Sequence, residues 1–333
     1  MNEITLKGTP IQMGSSLGKM MKKTGYSPPP VPKSRHELAM GCEKALRKYT
    51  PSLLEEIDAM VKAGGYENTS LKAFEVSLLP YPDYSCSIFA VSGDYTENGN
   101  VIFARNYDWE TKFQEFSTIF RAYPTDGLSS LSCTDLLVGR YGGINEAGLA
   151  IGLTAIPGCT EDHPGVMLHL ATRWVLDNCK DVAEAVDFLE RIPHVRGNNY
   201  LVADSSGSIA LIQASPKRVE VNEADNGIAI TTNHFLSDEM QAYEDESRIP
   251  ESSVPRLKLI DEWFRGREET IAIEEAQKIL KGRFDEKKGV YQDFTRNDVP
   301  FSTIWSWTYE SGKNSLQIAH GFSYSSEFKE YSF

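Results

Sequence analysis

Cys86, Arg105 and Asp108 bring a thiol, a guanidinium and a carboxylate onto two neighbouring β-like runs. The first run is Cys86-Ser-Ile-Phe-Ala-Val-Ser-Gly93; the second, Val101-Ile-Phe-Ala-Arg-Asn106, leads into Tyr107-Asp108-Trp109. Asn98-Gly99 between them is a strong hairpin signal, because both residue types tolerate positive φ. A hairpin there folds Arg105 and Asp108 back towards Cys86. A free thiol has a pKa of about 8.5, so a nucleophilic cysteine needs help. An adjacent arginine stabilises the thiolate. Two bases are open. One is His234, in Thr231-Thr-Asn-His-Phe235. The other appears if the bond before Cys86 is cut: the new α-amine, with a pKa of about 8, then serves as base for its own thiol, and Asp108 holds it.

The elements that must position these groups differ on the two sides of Cys86. Residues 1–85 read as helical. Gly8-Thr-Pro-Ile-Gln-Met-Gly14 leads into a short helix over 15–23. Tyr26-Ser-Pro-Pro-Pro-Val-Pro32 cannot be helical, because proline lacks the amide donor and restricts the residue before it. Ser34 is expected to cap a helix carrying Leu38, Cys42, Ala45, Leu46 and Tyr49. Thr50-Pro51 reads as N-cap and first-turn proline of another that stops at Gly64-Gly65. Pro80, Pro82 and Asp83 mark a loop. A long helical stretch ahead of an internal cysteine fits a precursor that cuts itself.

After Cys86 the pattern is mostly β. Strands are expected over 86–92, 101–106, 149–154, 199–204, 208–214, 217–221, 227–232, 303–309 and 315–319. Short turns between them, such as Asn145-Glu-Ala-Gly148 and Asp204-Ser-Ser-Gly207, suggest antiparallel meanders. Helices are expected over 165–178, 181–191 (capped by Asp181), 254–266 and 273–282. Residues 236–253 read as a surface loop. Strands flanked by helix pairs imply layered sheets covered by helices.

Several blocks together resemble the acyl-coenzyme A:6-aminopenicillanic acid (isopenicillin N) acyltransferase family, a branch of the N-terminal-nucleophile hydrolases related to penicillin V acylases and bile salt hydrolases. They are Gly8-Thr-Pro-Ile-Gln-Met-Gly14, Cys86 with Ala104-Arg-Asn-Tyr-Asp-Trp109, Gly143-Ile-Asn-Glu-Ala-Gly-Leu149, Asn199-Tyr-Leu-Val-Ala-Asp204, Ser215-Pro216, Thr232-Asn-His-Phe235 and Ser253-Val-Pro-Arg256. The resemblance implies an α+β fold, an αββα sandwich of two antiparallel sheets between helical layers. It also implies residues 1–85 as pro-segment or small chain and 86–333 as hydrolase core. Cys86 then matches the nucleophile, left N-terminal by cleavage of Ser85–Cys86. Arg105 favours the thiolate and touches substrate, Asp108 orients the amine, Asn233 binds the oxyanion, and Arg256 supports the site. Related hydrolases often carry a second oxyanion asparagine where this chain has Thr154, after Gly152-Leu153. Loss of one such donor costs about 3 kcal/mol. The reaction implied is hydrolysis or acyl transfer on a linear N-acyl amide, through a cysteine thioester, with an amine as alternative acceptor and no metal or organic cofactor.

Composition bounds the alternatives. The chain has 333 residues, 41% hydrophobic and 24% charged, an ordinary soluble globular profile. A formal charge of −13 argues against nucleic acid as partner. The first residues lack the pattern of a secretory signal, and no apolar run reaches the roughly 18 residues of a membrane span. The five cysteines are odd in number and form no CxxC pair, which points to a reducing cytoplasm. Cys42, Cys133, Cys159 and Cys179 read as core. His163, His169 and His194 lack ligand spacing, and His320 receives no role. Trp305 and Trp307 share one strand face and read as core before they read as a substrate wall. Two other functional readings stay open: an uncut cysteine hydrolase with His234 as base, and a non-catalytic small-molecule-binding protein on the same fold. A homo-oligomer is compatible with all of them.

Overall fold

The structure is a computed structural model, and it describes residues 1–79, 85–159, 162–265, 267, 269–282, 289–321 and 324–333. Two sheets face each other. The first has eight strands in the spatial order β1 (Asn2–Gly8), β4 (Thr118–Pro124), β5 (Ser130–Thr134), β6 (Gly142–Asn145), β7 (Ala150–Ala155), β8 (Asn198–Ala203), β9 (Ile209–Ala214) and β10 (Val219–Glu223). The second runs β11 (Ile228–Thr231), β2 (Ser85–Val91), β3 (Ile102–Glu110), β13 (Val299–Glu310), β14 (Ser315–His320) and β15 (Lys329–Ser332), with β12 (Asp293–Arg296) paired to β13. Helices α5 (Leu168–Asn178) and α6 (Val182–Arg191) cover the first sheet; α8 (Ser253–Phe264) and α9 (Ile273–Lys281) cover the second. This is the expected αββα sandwich, with one correction. The sheets are antiparallel except where β1 joins β4 in parallel, Asn2 opposite Thr118.

That exception comes from the N-terminal segment, which is therefore not purely helical: its first strand is part of the main sheet. Helices α1 (Pro10–Thr24), α2 (Ser34–Tyr49), α3 (Pro51–Gly64) and α4 (Leu71–Ser77) follow. A capping box starts α1, with Thr9 Oγ1 accepting from Gln12 N–H and Gln12 Oε1 accepting from Thr9 N–H. Gly14 and Gly18 lie one turn apart on α1. A Cβ at either would run into the α3 backbone at Glu56 and Met60, so the two helices pack closer than side chains allow. Ser34 does not cap α2 but is its first helical residue, after Lys33. Thr50 precedes Pro51 as read, though its side chain makes no cap bond. Asp181 does cap α6, accepting from Glu184 N–H at 2.9 Å. The 236–253 stretch includes a helical turn, α7 (Asp238–Gln241). The Pro80–Asp83 loop falls outside the described residues, among which no helix is long and apolar enough to cross a membrane.

Strand β2 is buried along its whole length. Side chains alternate, so Cys86, Ile88 and Ala90 enter the core between the sheets while Phe89 and Val91 enter the core under α8 and α9. With both faces packed, a one-residue slip would exchange every contact. Each buried side chain of this size contributes about 1.5–3 kcal/mol, so the register is firmly set. The Asn98-Gly99 turn exists, but the connection runs over 92–101 and only Gly99 takes positive φ, at 69°.

Candidate active site

β2 and β3 pair with Cys86 opposite Tyr107, Ser85 opposite Asp108 and Ile88 opposite Arg105. The alternation sorts the chemistry onto two faces. Cys86, Arg105 and Tyr107 point between the sheets; Ser85, Ser87, Asn106 and Asp108 point towards the helices.

Between the sheets, Arg105 Nη2 donates to Cys86 Sγ at 3.6 Å and Nη1 donates to Leu153 O at 2.6 Å. The guanidinium carbon sits 5.3 Å from the Trp305 ring centre and 5.8 Å from that of Tyr107. These two rings stack at 4.6 Å. The Tyr107 hydroxyl donates to Asp135 Oδ2 at 3.0 Å. Cys86 is only 2% exposed. Burial pushes its thiol up to about 11; Arg105 and then Arg256 oppose this, and Asp108 adds to it.

On the helix side, Asp108 Oδ1 accepts from Thr303 Oγ1 at 2.6 Å. Burial raises this carboxyl to about 6, against the pull of Arg256 and the Thr303 bond. Ser85 on the same face also favours the ionised form, although no hydrogen bond of good geometry reaches Oδ2. Arg256 enters from α8. Its Nη1 donates to Cys86 O and, at 2.8 Å, to Ser87 Oγ; its Nη2 donates to Asn233 Oδ1 at 2.9 Å. Nη1 stands 3.9 Å from Asp108 Oδ2.

Asn233 follows β11. Its Oδ1 accepts from Cys86 N–H at 2.7 Å as well as from Arg256. Two donors on one oxygen fix which way the carboxamide points. Its Nδ2 donates to Ala155 O at 2.9 Å. The turn that carries it is held from the opposite sheet. Thr154 Oγ1 donates to Thr232 O at 2.5 Å, and Asn199 Nδ2 donates to His234 O at 3.0 Å. The Thr154 hydroxyl proton is thus occupied with this turn. His234 Nδ1 meets Ser253 Oγ at 2.8 Å and Thr232 Oγ1 at 3.2 Å. Burial, helped by Arg256, pushes His234 down to about 4, so it is neutral at neutral pH. No hydrogen bond joins it to Cys86 among the described residues.

The structure therefore gathers Cys86, Arg105, Asp108, Asn233 and Arg256 around one residue, with Thr154 and His234 one contact further out. Ser253, Thr303 and Ser87 also hold the site; the sequence assigns none of them a role, although Ser253 opens the block that ends in Arg256. Ser253 carried one usable signal: three residues before Arg256 on a helix, it must share that face. Among the described residues, no group of three or more His, Cys, Asp or Glu is placed to hold a metal ion. A cavity of about 270 Å³ lies elsewhere, lined by Cys159, Lys217, Tyr243 and Glu244 with neighbours that include none of the cluster around Cys86.

Comparison with known proteins places this geometry in context. The profile of the family described as acyl-coenzyme A:6-aminopenicillanic acid acyl-transferase matches residues 95–322, a span that includes Arg105, Asp108, Thr154, Asn233 and Arg256 and begins after Cys86. No curated protein matches. Among solved structures, an arginine-to-leucine variant of conjugated bile acid hydrolase from Clostridium perfringens is similar, at 16% identity and TM-score 0.50 over 74% of this chain and 97% of that one. Penicillin V acylase from Agrobacterium tumefaciens follows, at 19% identity and TM-score 0.49 over 74% and 86%. The Caenorhabditis elegans ortholog of N-acylethanolamine-hydrolyzing acid amidase gives 14% and 0.48 over 74% and 100%. The chain belongs to the acyl-coenzyme A:6-aminopenicillanic acid acyl-transferase family and has the N-terminal-nucleophile hydrolase fold.

Proposed function

We propose that the chain cuts itself between Ser85 and Cys86 and then hydrolyses small N-acyl amides, or transfers their acyl groups to an amine, through a thioester on Cys86. One observation supports this best. Each reactive part of Cys86 has its own partner: Arg105 on the sulfur, Asn233 Oδ1 on the nitrogen and Arg256 on the carbonyl oxygen. Such separate provision suits a residue whose sulfur and nitrogen both take part in chemistry.

In the first step Sγ adds to the Ser85 carbonyl carbon. The Ser85–Cys86 C–N bond breaks as the thiol proton passes to the departing nitrogen. Water then hydrolyses the thioester, leaving a Ser85 carboxylate and a Cys86 that carries both free thiol and free amine. The cut frees the chain ahead of Cys86 and gives water and substrate access to Sγ. It also replaces an amide nitrogen with an amine, whose ordinary pKa is about 8, beside Asp108. Among the described residues Asp108 Oδ2 accepts no hydrogen bond of good geometry and faces Arg256 Nη1 only at 3.9 Å, so it can take this ammonium.

Turnover uses the same groups. The amine takes the thiol proton, the thiolate adds to the substrate carbonyl, and the protonated amine releases the leaving amine. Asn233 Nδ2 exchanges Ala155 O for the oxyanion. Thr154 contributes by fixing the turn that carries Asn233. Small N-acyl amides are the substrate class of choice: the family's description names an amine, 6-aminopenicillanic acid, as acyl acceptor, and its acylation makes an N-acyl amide, the bond that the reverse reaction with water would cut. Residues 1–85 remain as a small chain, retained by the β1–β4 pairing and by the buried Arg173–Glu56 contact.

The test is a mass measurement under turnover. Protein is mixed with a panel of N-acyl amides, quenched in acid and weighed. The expected result is an acyl increment on the 86–333 fragment, absent in Cys86→Ala. An acyl increment on uncut chain, lost in His234→Ala, would instead favour a histidine base.

A further inference from the structure

A second polar cluster holds the end of α4, upstream of Ser85 in the chain. Asp162, in the loop after β7, lies between two arginines. Arg35 Nη1 of α2 donates to Asp162 Oδ2 at 2.7 Å, and Arg196, ahead of β8, donates to Oδ2 through Nη2 at 2.8 Å and to Oδ1 through Nε at 3.2 Å. Each arginine has a further bond, and both go to the same short segment: Arg35 Nη2 donates to Ser77 O at 2.6 Å, and Arg196 Nη1 donates to Leu79 O at 3.2 Å. Between those carbonyls lies Leu78, buried, with φ 44° and ψ 170°. A leucine adopts such a backbone only when its surroundings impose it. The residues before it are fixed too, since His169 Nε2 meets Glu75 O at 3.0 Å.

Seam stability alone does not explain this arrangement. A plain ion pair across the seam would need one arginine and no backbone carbonyls. Here one carboxylate aligns two guanidiniums so that their remaining N–H groups hold the carbonyls on either side of Leu78, where the chain leaves α4. That exit leads through residues 80–84 to Ser85.

We propose that Arg35, Asp162 and Arg196 are positioning residues for the self-cleavage: they fix Ser77 and Leu79 and so restrict how the Ser85 carbonyl carbon is presented to the Cys86 thiol. This rests on the cleavage proposed above and adds to it the device that orients the bond. An intramolecular attack depends steeply on such orientation, so loosening the tether slows cutting without touching the groups that later turn over substrate.

The test separates the two steps. Conversion of uncut to cut chain is followed by intact mass after pulsed synthesis, for wild type, Asp162→Asn and Arg196→Lys. Lysine keeps the charge towards Asp162 but not the fork that also reaches Leu79 O. Expected are at least tenfold slower cutting in Asp162→Asn, a smaller slowing in Arg196→Lys, and an unchanged kcat per cut molecule in both. Cutting of both variants at the wild-type rate would overturn the proposal. So would equal losses in cutting and in kcat per cut molecule that track a fall in melting temperature, since that is the signature of a merely structural cluster. If Asp162→Asn does not fold, Arg196→Lys decides alone. A wild type that never cuts would overturn the parent reading as well, and is thereby told apart from a failure of the clamp.

Discussion

Two buried clusters of charge in this molecule are built in opposite ways. At the seam between the N-terminal helices and the first sheet, opposite charges close on one another. Arg173 Nε bonds both oxygens of Asp177, at 2.9 and 2.8 Å, and Nη2 reaches Glu56 at 3.4 Å. Burial works against the Arg173 charge, yet Asp177 and Glu56 more than offset it and hold the group ionised. Around Cys86, the opposite charges meet only in a long, loose ion pair. Arg256 and Asp108 stand 3.9 Å from each other, and the arginines turn instead to a sulfur, a backbone carbonyl and an amide oxygen. A pair that neutralises itself holds a structure together. Charges that point at a thiol and at a peptide unit leave their electrostatic influence on atoms that can react.

The contrast predicts different failures. Cys86→Ala should abolish cutting and acyl capture, a loss on the order of 10⁴-fold or more, while the melting temperature barely moves. Arg173→Ala should do the reverse: it strands two buried carboxylates and costs about 3–5 kcal/mol in denaturant unfolding, with catalytic groups intact. Asn233→Ala removes the proposed oxyanion donor and the partner of Cys86 N, and kcat/KM of any cut material should fall by about 10²–10³.

The seam also carries a pH signature. Burial raises Glu75 to about 7, opposed by its bond from Val138 N–H and by Arg140. A carboxyl raised in the folded state favours folding below its unfolded pKa, and that contribution is lost as pH rises through its folded value. Unfolding free energy should therefore fall between about pH 4.5 and pH 7, by on the order of 3 kcal/mol from this group. Glu75→Gln should flatten that slope, and an unchanged slope would place the effect elsewhere. The smallest expected effect is at His234. Held neutral by burial and bonded to Ser253, it should tolerate Gln with less than a tenfold loss in kcat.

Much of this is legible in the residue order. Two β-like apolar runs joined by Asn98-Gly99 predict β2 and β3, and with them the approach of Arg105 and Asp108 to Cys86. It does not reveal that the two lie on opposite faces, because the strand continues through Tyr107 to Glu110, beyond the run that the pattern marks. β5 and β6 escape sequence reasoning for a physical reason: Ser-Leu-Ser-Cys-Thr and Gly-Gly-Ile-Asn are only five and four residues long and carry few apolar side chains, although both are buried along their whole length. β1 escapes it because its partner, β4, lies more than a hundred residues away and nothing local marks the pairing. The contacts made by Thr303, Asp135 and the Arg35–Asp162–Arg196 group are likewise products of tertiary packing. No spacing in the chain announces them.

The most direct measurement is the intact mass of the purified protein with sequencing of any new amino terminus. The account predicts two chains that meet between Ser85 and Cys86, the larger beginning with cysteine and labelled by a reagent specific for N-terminal cysteine. A single uncut chain that nevertheless turns over N-acyl amides at full rate would contradict it.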